Sequence, residues 1–260
     1  MPCNPVKRAS LTLHRIAGIE HPFDLFNITA PTDTQSRERV SPVDTTPAPR
    51  LVELSAADLR AHLDEALAVY VEAMNYPRGT ELHRAPMWAE HATRPGWRAI
   101  AAFTTPHRDT GAPNGDAGAS AHPGTSLVGI AYGYRGAPHQ WWHQQVREGL
   151  RRSGADRRTA ESILGDYFEL TELHVSPRAQ GHGTGAALLT ALLAGRPEAR
   201  VLLSTPEVPL EDNRAWRLYR RLGFTDVVRH FRFSGDSRPF AVLGRELPLH
   251  RPTAGPGATS

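Results

Sequence analysis

The sequence predicts a mixed α/β domain: a mostly antiparallel sheet with helices packed against it. Three observations carry that expectation. Short apolar runs rich in β-branched and aromatic residues alternate with stretches whose apolar residues recur at helical spacing. Successive strand runs near both ends of the chain are joined by turn or loop residues, the pattern of antiparallel hairpins. One strand run, Tyr167–Val175, leads through a glycine-rich loop into an apolar helix. At 260 residues the chain is long for one domain and short for two, so a single core with an extension is expected. With 40% hydrophobic and 22% charged residues it has the composition of an ordinary globular protein.

Residues 1–50 join a weakly apolar stretch to a tract of Thr, Pro, Ser and Asp that has too little apolar surface to order itself, so they are expected to form a disordered extension. The folded domain is then 51–248, and the Pro/Gly-rich residues 249–260 form a loose tail. Within the domain, 51–54 reads as a first strand. Ser55-x-x-Asp58 resembles a capping box that opens one helix, with Leu59, Leu63, Leu67, Tyr70 and Met74 on a common face. A second helix covers 80–92 and stops before Pro95, and 97–103 is a strand. The Gly, Pro, Asn and Ser residues of 104–125 form a surface loop, and 127–134 is a strand that pairs back across it. Gly129 and Gly133 in that strand suggest a bend or a close backbone approach.

Residues 138–164 are helical, with Trp142, Val146 and Leu150 in register, a break at Ser153-Gly154, and a second helix from Asp156. After the strand Tyr167–Val175 and the glycine loop comes a helix striped by Leu188, Leu189, Leu192 and Leu193 and capped by Gly195. A strand at 200–205, a helix at 212–222 ending at Gly223, and two closing strands at 224–233 and 240–247 complete the chain.

A strand, then Gly181-x-Gly183-x-Gly185, then a helix of small residues presents several backbone N–H groups to an anion. Glycine removes the Cβ that would hold a phosphate away, and the helix dipole adds partial positive charge. The glycines alone are equally consistent with a tight strand-to-helix turn. The spacing is not that of a dinucleotide fold, and the loop lacks the Gly-Lys-Ser/Thr ending of a nucleotide-triphosphate loop.

Arg178-x-x-Gly181-x-Gly183 follows Glu169-Leu170-Thr171-Glu172-Leu173-His174-Val175, and Asn213-x5-Tyr219 follows some thirty residues later. Two motifs in that order resemble the GNAT superfamily of acyl-coenzyme A N-acyltransferases. The resemblance covers 51–247 in element order and is specific between 167 and 224. It implies a centrally splayed sheet, with the helical segment 138–164 inserted before the fourth strand. It further implies that acetyl-coenzyme A is bound by Leu173, His174, Val175, Arg178, Gln180, Gly181, His182, Gly183, Thr184, Gly185, Asn213 and Tyr219. Those residues would hold its pyrophosphate, pantetheine and sulfur.

An amine that attacks a thioester must be neutral, needs its developing oxyanion stabilised, and needs a proton delivered to the leaving thiolate. The backbone N–H of Leu173 is the candidate oxyanion donor, and the Tyr219 phenol the candidate acid, unless Tyr219 merely packs with Ala215 and Leu222. Glu169 and Glu172 are the candidate bases. They stand three apart on one strand and so face opposite ways unless a bulge intervenes. Trp141, Trp142, Arg147, Arg151 and Arg152 are candidates for a lid over the acceptor, against the plainer reading that Trp142 belongs to the core.

The sole cysteine, Cys3, lies in the extension, which removes a folded thiol nucleophile and points to direct attack in a ternary complex. His139 and His143 have metal-helix spacing but no accompanying glutamate, and no metal is expected. The net charge of +3 does not call for nucleic acid. No signal peptide and no apolar run of about 18 residues is present, so a cytoplasmic location without membrane contact is expected. The partners expected are acetyl-coenzyme A and an amine acceptor, a small molecule ahead of a protein, with a homodimer left open. Another acyl donor, or a non-catalytic coenzyme A-binding module, are the rival functions.

Overall fold

The computed structural model describes residues 48–104 and 125–249. Residues 1–47 of the expected extension, the loop 105–124 and the tail from 250 lie outside the described residues. The order of elements is β1 (Arg50–Leu54), α1 (Ala56–Ala61), α2 (Leu63–Met74), α3 (Thr80–His91), β2 (Arg98–Thr104), β3 (Ser126–Arg135), α4 (Trp141–Arg152), α5 (Arg157–Leu164), β4 (Tyr167–Val175), α6 (Thr184–Leu193), β5 (Arg200–Pro206), α7 (Arg214–Arg221), β6 (Thr225–Phe231) and β7 (Phe240–Glu246). Seven strands form one sheet in the order β1-β2-β3-β4-β5-β7-β6. Every neighbouring pair is antiparallel except β4 and β5. The mixed, mostly antiparallel architecture is the one the sequence predicts.

The capping box at Ser55 forms as expected, with the Ser55 hydroxyl accepting from the Asp58 N–H and the Asp58 carboxylate accepting from the Ser55 N–H. One expectation is corrected here. The helix after it does not run unbroken, because His62 leaves helical geometry (φ −108, ψ 15) and separates α1 from α2. The break rotates the buried face of α2 onto Ala66, Leu67, Val69, Tyr70 and Val71, and Met74 ends exposed beside the left-handed Asn75.

Two layers of helix cover the sheet. On one face α6 and α7 bury Leu188, Leu189, Leu192, Leu193, Trp216 and Tyr219 against Val201, Leu203 and Leu243. Each fully buried leucine of α6 contributes about 2 kcal/mol of transfer free energy. On the other face α1–α3 cover the first four strands, through Leu59, Leu67, Tyr70, Trp88 and Tyr132. The inserted helices α4 and α5 cover the remaining strands, where Trp142, Val146, Leu150 and Leu164 meet Tyr167, Leu202, Phe240 and Val242.

Gly133 shows why β3 needs glycine: a Cβ there would stand 2.1 Å from the Glu169 carbonyl oxygen and 2.6 Å from the Phe168 ring. No described helix is long and apolar enough to cross a membrane.

Candidate active site

The site is built where the sheet opens. β4 pairs in parallel with β5 only from Tyr167 to Glu169, opposite Arg200 to Leu202. Beyond Leu202, β5 stays paired to β7 as far as Pro206, while β4 stays paired to β3 as far as Val175. The two strands therefore diverge, and one edge of β4 from Leu170 onward has no strand beside it among the described residues.

The direction of the free N–H groups along that edge follows from strand alternation. The Ser176 N–H donates to the Val128 carbonyl on β3 at 2.8 Å. Its neighbours two apart share that direction, so the N–H groups of Val175 and Leu173 point the other way, into the gap. The Val175 carbonyl agrees, since it also points away from β3 and accepts from the Gln180 side chain at 2.8 Å. The Leu173 N–H is thus free of the β3 ladder and faces the gap.

A bulge settles the two glutamates. Tyr132 opposes Glu172 and Gly133 opposes Leu170, so Thr171 is the extra residue. Glu172 then lies opposite Tyr132 and Glu169 opposite Tyr134, and both carboxylates share the face covered by α1–α3. Their surroundings differ. Glu169 is buried, takes a hydrogen bond from the Tyr134 hydroxyl at 3.1 Å, and leaves its second oxygen without a partner. Burial pushes its carboxyl up to about 7, against the pull of Tyr134 and Arg94.

Glu172 hydrogen-bonds His174 Nε2 at 2.5 Å. Burial is the largest influence and acts upward, but the His174 bond, with the charges of His174, Arg84 and His91, holds the carboxyl below its ordinary value. At neutral pH Glu172 is therefore a largely buried anion on β4, beyond the last residue paired with β5.

Tyr219 approaches from α7. It is buried in the core against Phe224, with ring centroids 5.6 Å apart, and both burial and the Glu172 charge raise its phenol. Tyr219 thus packs in the same core cluster as Ala215 and Leu222, and the Glu172 charge acts on its phenol. Asn213 caps α7, its side-chain oxygen accepting from the Trp216 N–H at 2.8 Å. It fixes the helix that carries Tyr219.

In the glycine loop, Gly181 and Gly183 have φ of +87° and +82°, a conformation in which a side chain is strained, and the space where a Cβ would stand is open. Gly183 is the N-cap of α6 and provides no side-chain cap. The first N–H groups of α6 therefore face outward with no intrahelical acceptor. Thr184 ties the loop down by donating to the Ala179 carbonyl, and Arg178 reaches Ser126. Gln180 bridges Val175 to Arg214 of α7. His182 is exposed on the loop. The loop and the splay thus adjoin through Val175 and Gln180, and this cradle fits the diphosphate of a coenzyme A.

Several residues around Glu169 and Glu172 were not expected at the site from the sequence: Tyr70, which was read only as part of an apolar helix face, and Arg84, His91, Tyr132 and Tyr134. His91 Nδ1 lies 3.1 Å from the Tyr132 hydroxyl, and Arg94 donates to the Tyr134 hydroxyl at 2.7 Å. Their signal was available, since Arg84, Trp88 and His91 recur at i, i+4 and i+7 on α3 and Tyr132 and Tyr134 alternate on β3. Of the histidine pair considered for a metal, His143 instead meets the Tyr167 hydroxyl at 3.2 Å.

A sequence model of the GNAT acetyltransferase domain matches residues 148–226, from the middle of α4 to the start of β6. A GCN5-like protein acetyltransferase of Mycobacterium tuberculosis is 55% identical over 206 residues, covering 76% of this chain and 98% of that protein. Among solved structures, the ribosomal-protein-S18-alanine N-acetyltransferase of Escherichia coli aligns at 13% identity and a TM-score of 0.45, over 79% of this chain and 97% of its own. A putative GNAT-family acetyltransferase of Desulfovibrio desulfuricans aligns at 14% identity and 0.47, over 76% and 99%. The chain belongs to the GNAT family of acetyl-coenzyme A-dependent N-acetyltransferases.

Proposed function

We propose that the chain transfers the acetyl group of acetyl-coenzyme A directly to the side-chain amine of a lysine in a protein, within a ternary complex. The observation that carries the reading is the splay between β4 and β5. It supports the reading because the Leu173 N–H faces the gap beyond the last β4/β5 pair, and the Glu172 charge on the same strand acts on the Tyr219 phenol. The protein acceptor is taken from the name of the mycobacterial relative, in place of the small molecule expected from the sequence.

In this reading the N–H groups from Gly181 to Gly185 hold the pyrophosphate, with Thr184 and Gln180 keeping the loop in shape. Leu173, and Val175 beside it, donate to the carbonyl oxygen of the thioester. Glu172 takes the proton from the acceptor ammonium, and His174 orients it. As the new C–N bond forms and the C–S bond breaks, Tyr219 gives its proton to the leaving thiolate, and the second proton lost by the acceptor nitrogen restores the Tyr219 phenol. Arg178 and His182 line the outer side of the phosphate loop.

Thiol release from acetyl-coenzyme A, followed with a lysine-containing acceptor protein, tests the scheme. Glu172→Gln and Tyr219→Phe are each expected to lower kcat by about 100-fold or more, with coenzyme A binding retained. Gly183→Glu is expected to abolish binding measured by calorimetry, because a carboxylate replaces the cradle. Unchanged binding by that variant would sink the loop assignment, and full activity of Tyr219→Phe the acid.

A further inference from the structure

Arg84 is half-buried on α3, with its guanidinium carbon 5.4 Å from the centroid of the Tyr70 ring. It reaches the Met87 sulfur at 3.8 Å, a weak acceptor, and the Tyr70 side chain, and among the described residues it has no carboxylate within ion-pair distance. By contrast Arg94, Arg98, Arg196, Arg220, Arg229 and Arg238, also partly buried, each end on a carboxylate. Arg200 and Arg245 lack one too, but they lie on β5 at the closed base of the splay and on β7. Arg84 alone of this set lies on the Glu172 side of the sheet: its guanidinium stands over Tyr70, the Tyr70 ring centroid is 4.9 Å from that of His174, and His174 hydrogen-bonds Glu172.

We propose that Arg84 selects the acceptor: it receives a carboxylate beside the target lysine, so that the enzyme favours lysines flanked by aspartate or glutamate. This rests on the protein-lysine reading above. The target amine must reach Glu172, and the guanidinium is linked to that carboxylate through Tyr70 and His174, so it is a neighbouring side chain of the acceptor that meets it. A planar guanidinium with unused donors takes a carboxylate through paired hydrogen bonds. It repels an arginine or lysine placed there, which adds discrimination by exclusion.

Three peptides that differ only in the residues flanking one central lysine, two aspartates, two alanines or two arginines, provide the test. With the full-length protein, kcat/KM is expected to fall about fivefold at each step from aspartate to alanine to arginine, the scale of a partly exposed ion pair. Arg84→Gln should flatten the series and Arg84→Glu should reverse it, and thermal melts of both variants establish that they are folded. Equal rates on all three peptides with the unaltered protein, or an undisturbed ranking in Arg84→Glu, would overturn the assignment and leave the lysine reading in place. Failure to acetylate any of the peptides would overturn both.

Discussion

Glu169 and Glu172 occupy one face of one strand yet ionise in opposite directions. Glu172 has a histidine in hydrogen-bond contact, and Glu169 has only a tyrosine hydroxyl and a buried oxygen with nothing to meet. The consequence for stability follows from the sign of each shift. Burial lifts Glu169 from about 4.5 to about 7, so the folded state binds this proton more tightly than the unfolded chain. Its contribution is complete below about pH 4.5 and is lost as the pH rises through 7. Over that window it amounts to roughly 3 kcal/mol. Glu172, held low, works in the opposite sense and below that window, where its contribution is lost on acidification. Urea unfolding at pH 5 and pH 8 should therefore show the unaltered protein losing stability with rising pH relative to Glu169→Gln, by an amount of that order. Parallel pH slopes for the two proteins would remove the buried, protonated Glu169 from the account.

Among the elements, the inserted pair α4 and α5 has its apolar face turned to the sheet: Trp142 is buried and donates to the Ser204 hydroxyl at 3.2 Å, while Trp141 lies against Phe233 at 5.6 Å between centroids. Arg151 and Arg152 both pair with Glu148 of the same helix. Trp142→Ala should then cost about 3–5 kcal/mol of stability through the cavity it leaves. It should leave KM for the acceptor unchanged, whereas a lid would show itself mainly in KM. The sequence made these helices legible through their apolar spacing, as it did the strands and the leucine stripe of α6, because burial writes a period into the chain. It could not show where pairing ends. The bulge at Thr171 and the end of the β4/β5 pairing depend on which strand lies opposite, so the faces of Glu169 and Glu172 stayed open in the sequence until the bulge was located. The break at His62 escaped for a similar reason, since the apolar spacing runs straight through it. Arg84, His91, Tyr132 and Tyr134 were overlooked because their roles arise only when α3 lies over β3.

At the scale of the whole molecule, the sheet separates two sides of the proposed reaction: α6 and α7 with the glycine loop on one, α1–α3 with the carboxylates on the other. The Glu172 charge acts on the Tyr219 phenol, and the splay opens the interior of the sheet between β4 and β5. Direct transfer through that opening needs no resting place for the acetyl group on the protein. The composition agrees, since Cys3 and Lys7 are the sole cysteine and the sole lysine of the chain and both precede the described residues. Incubation with isotopically labelled acetyl-coenzyme A and no acceptor is accordingly expected to leave residues 48–249 unlabelled by mass spectrometry of the digested protein, with lysine acetylation confined at most to Lys7. A stoichiometric acetyl group on any serine, threonine, tyrosine or histidine of the folded domain, discharged when an acceptor is added, would replace direct attack with a two-step route. It would also relieve Glu172 of having to act on an amine and a thioester held together.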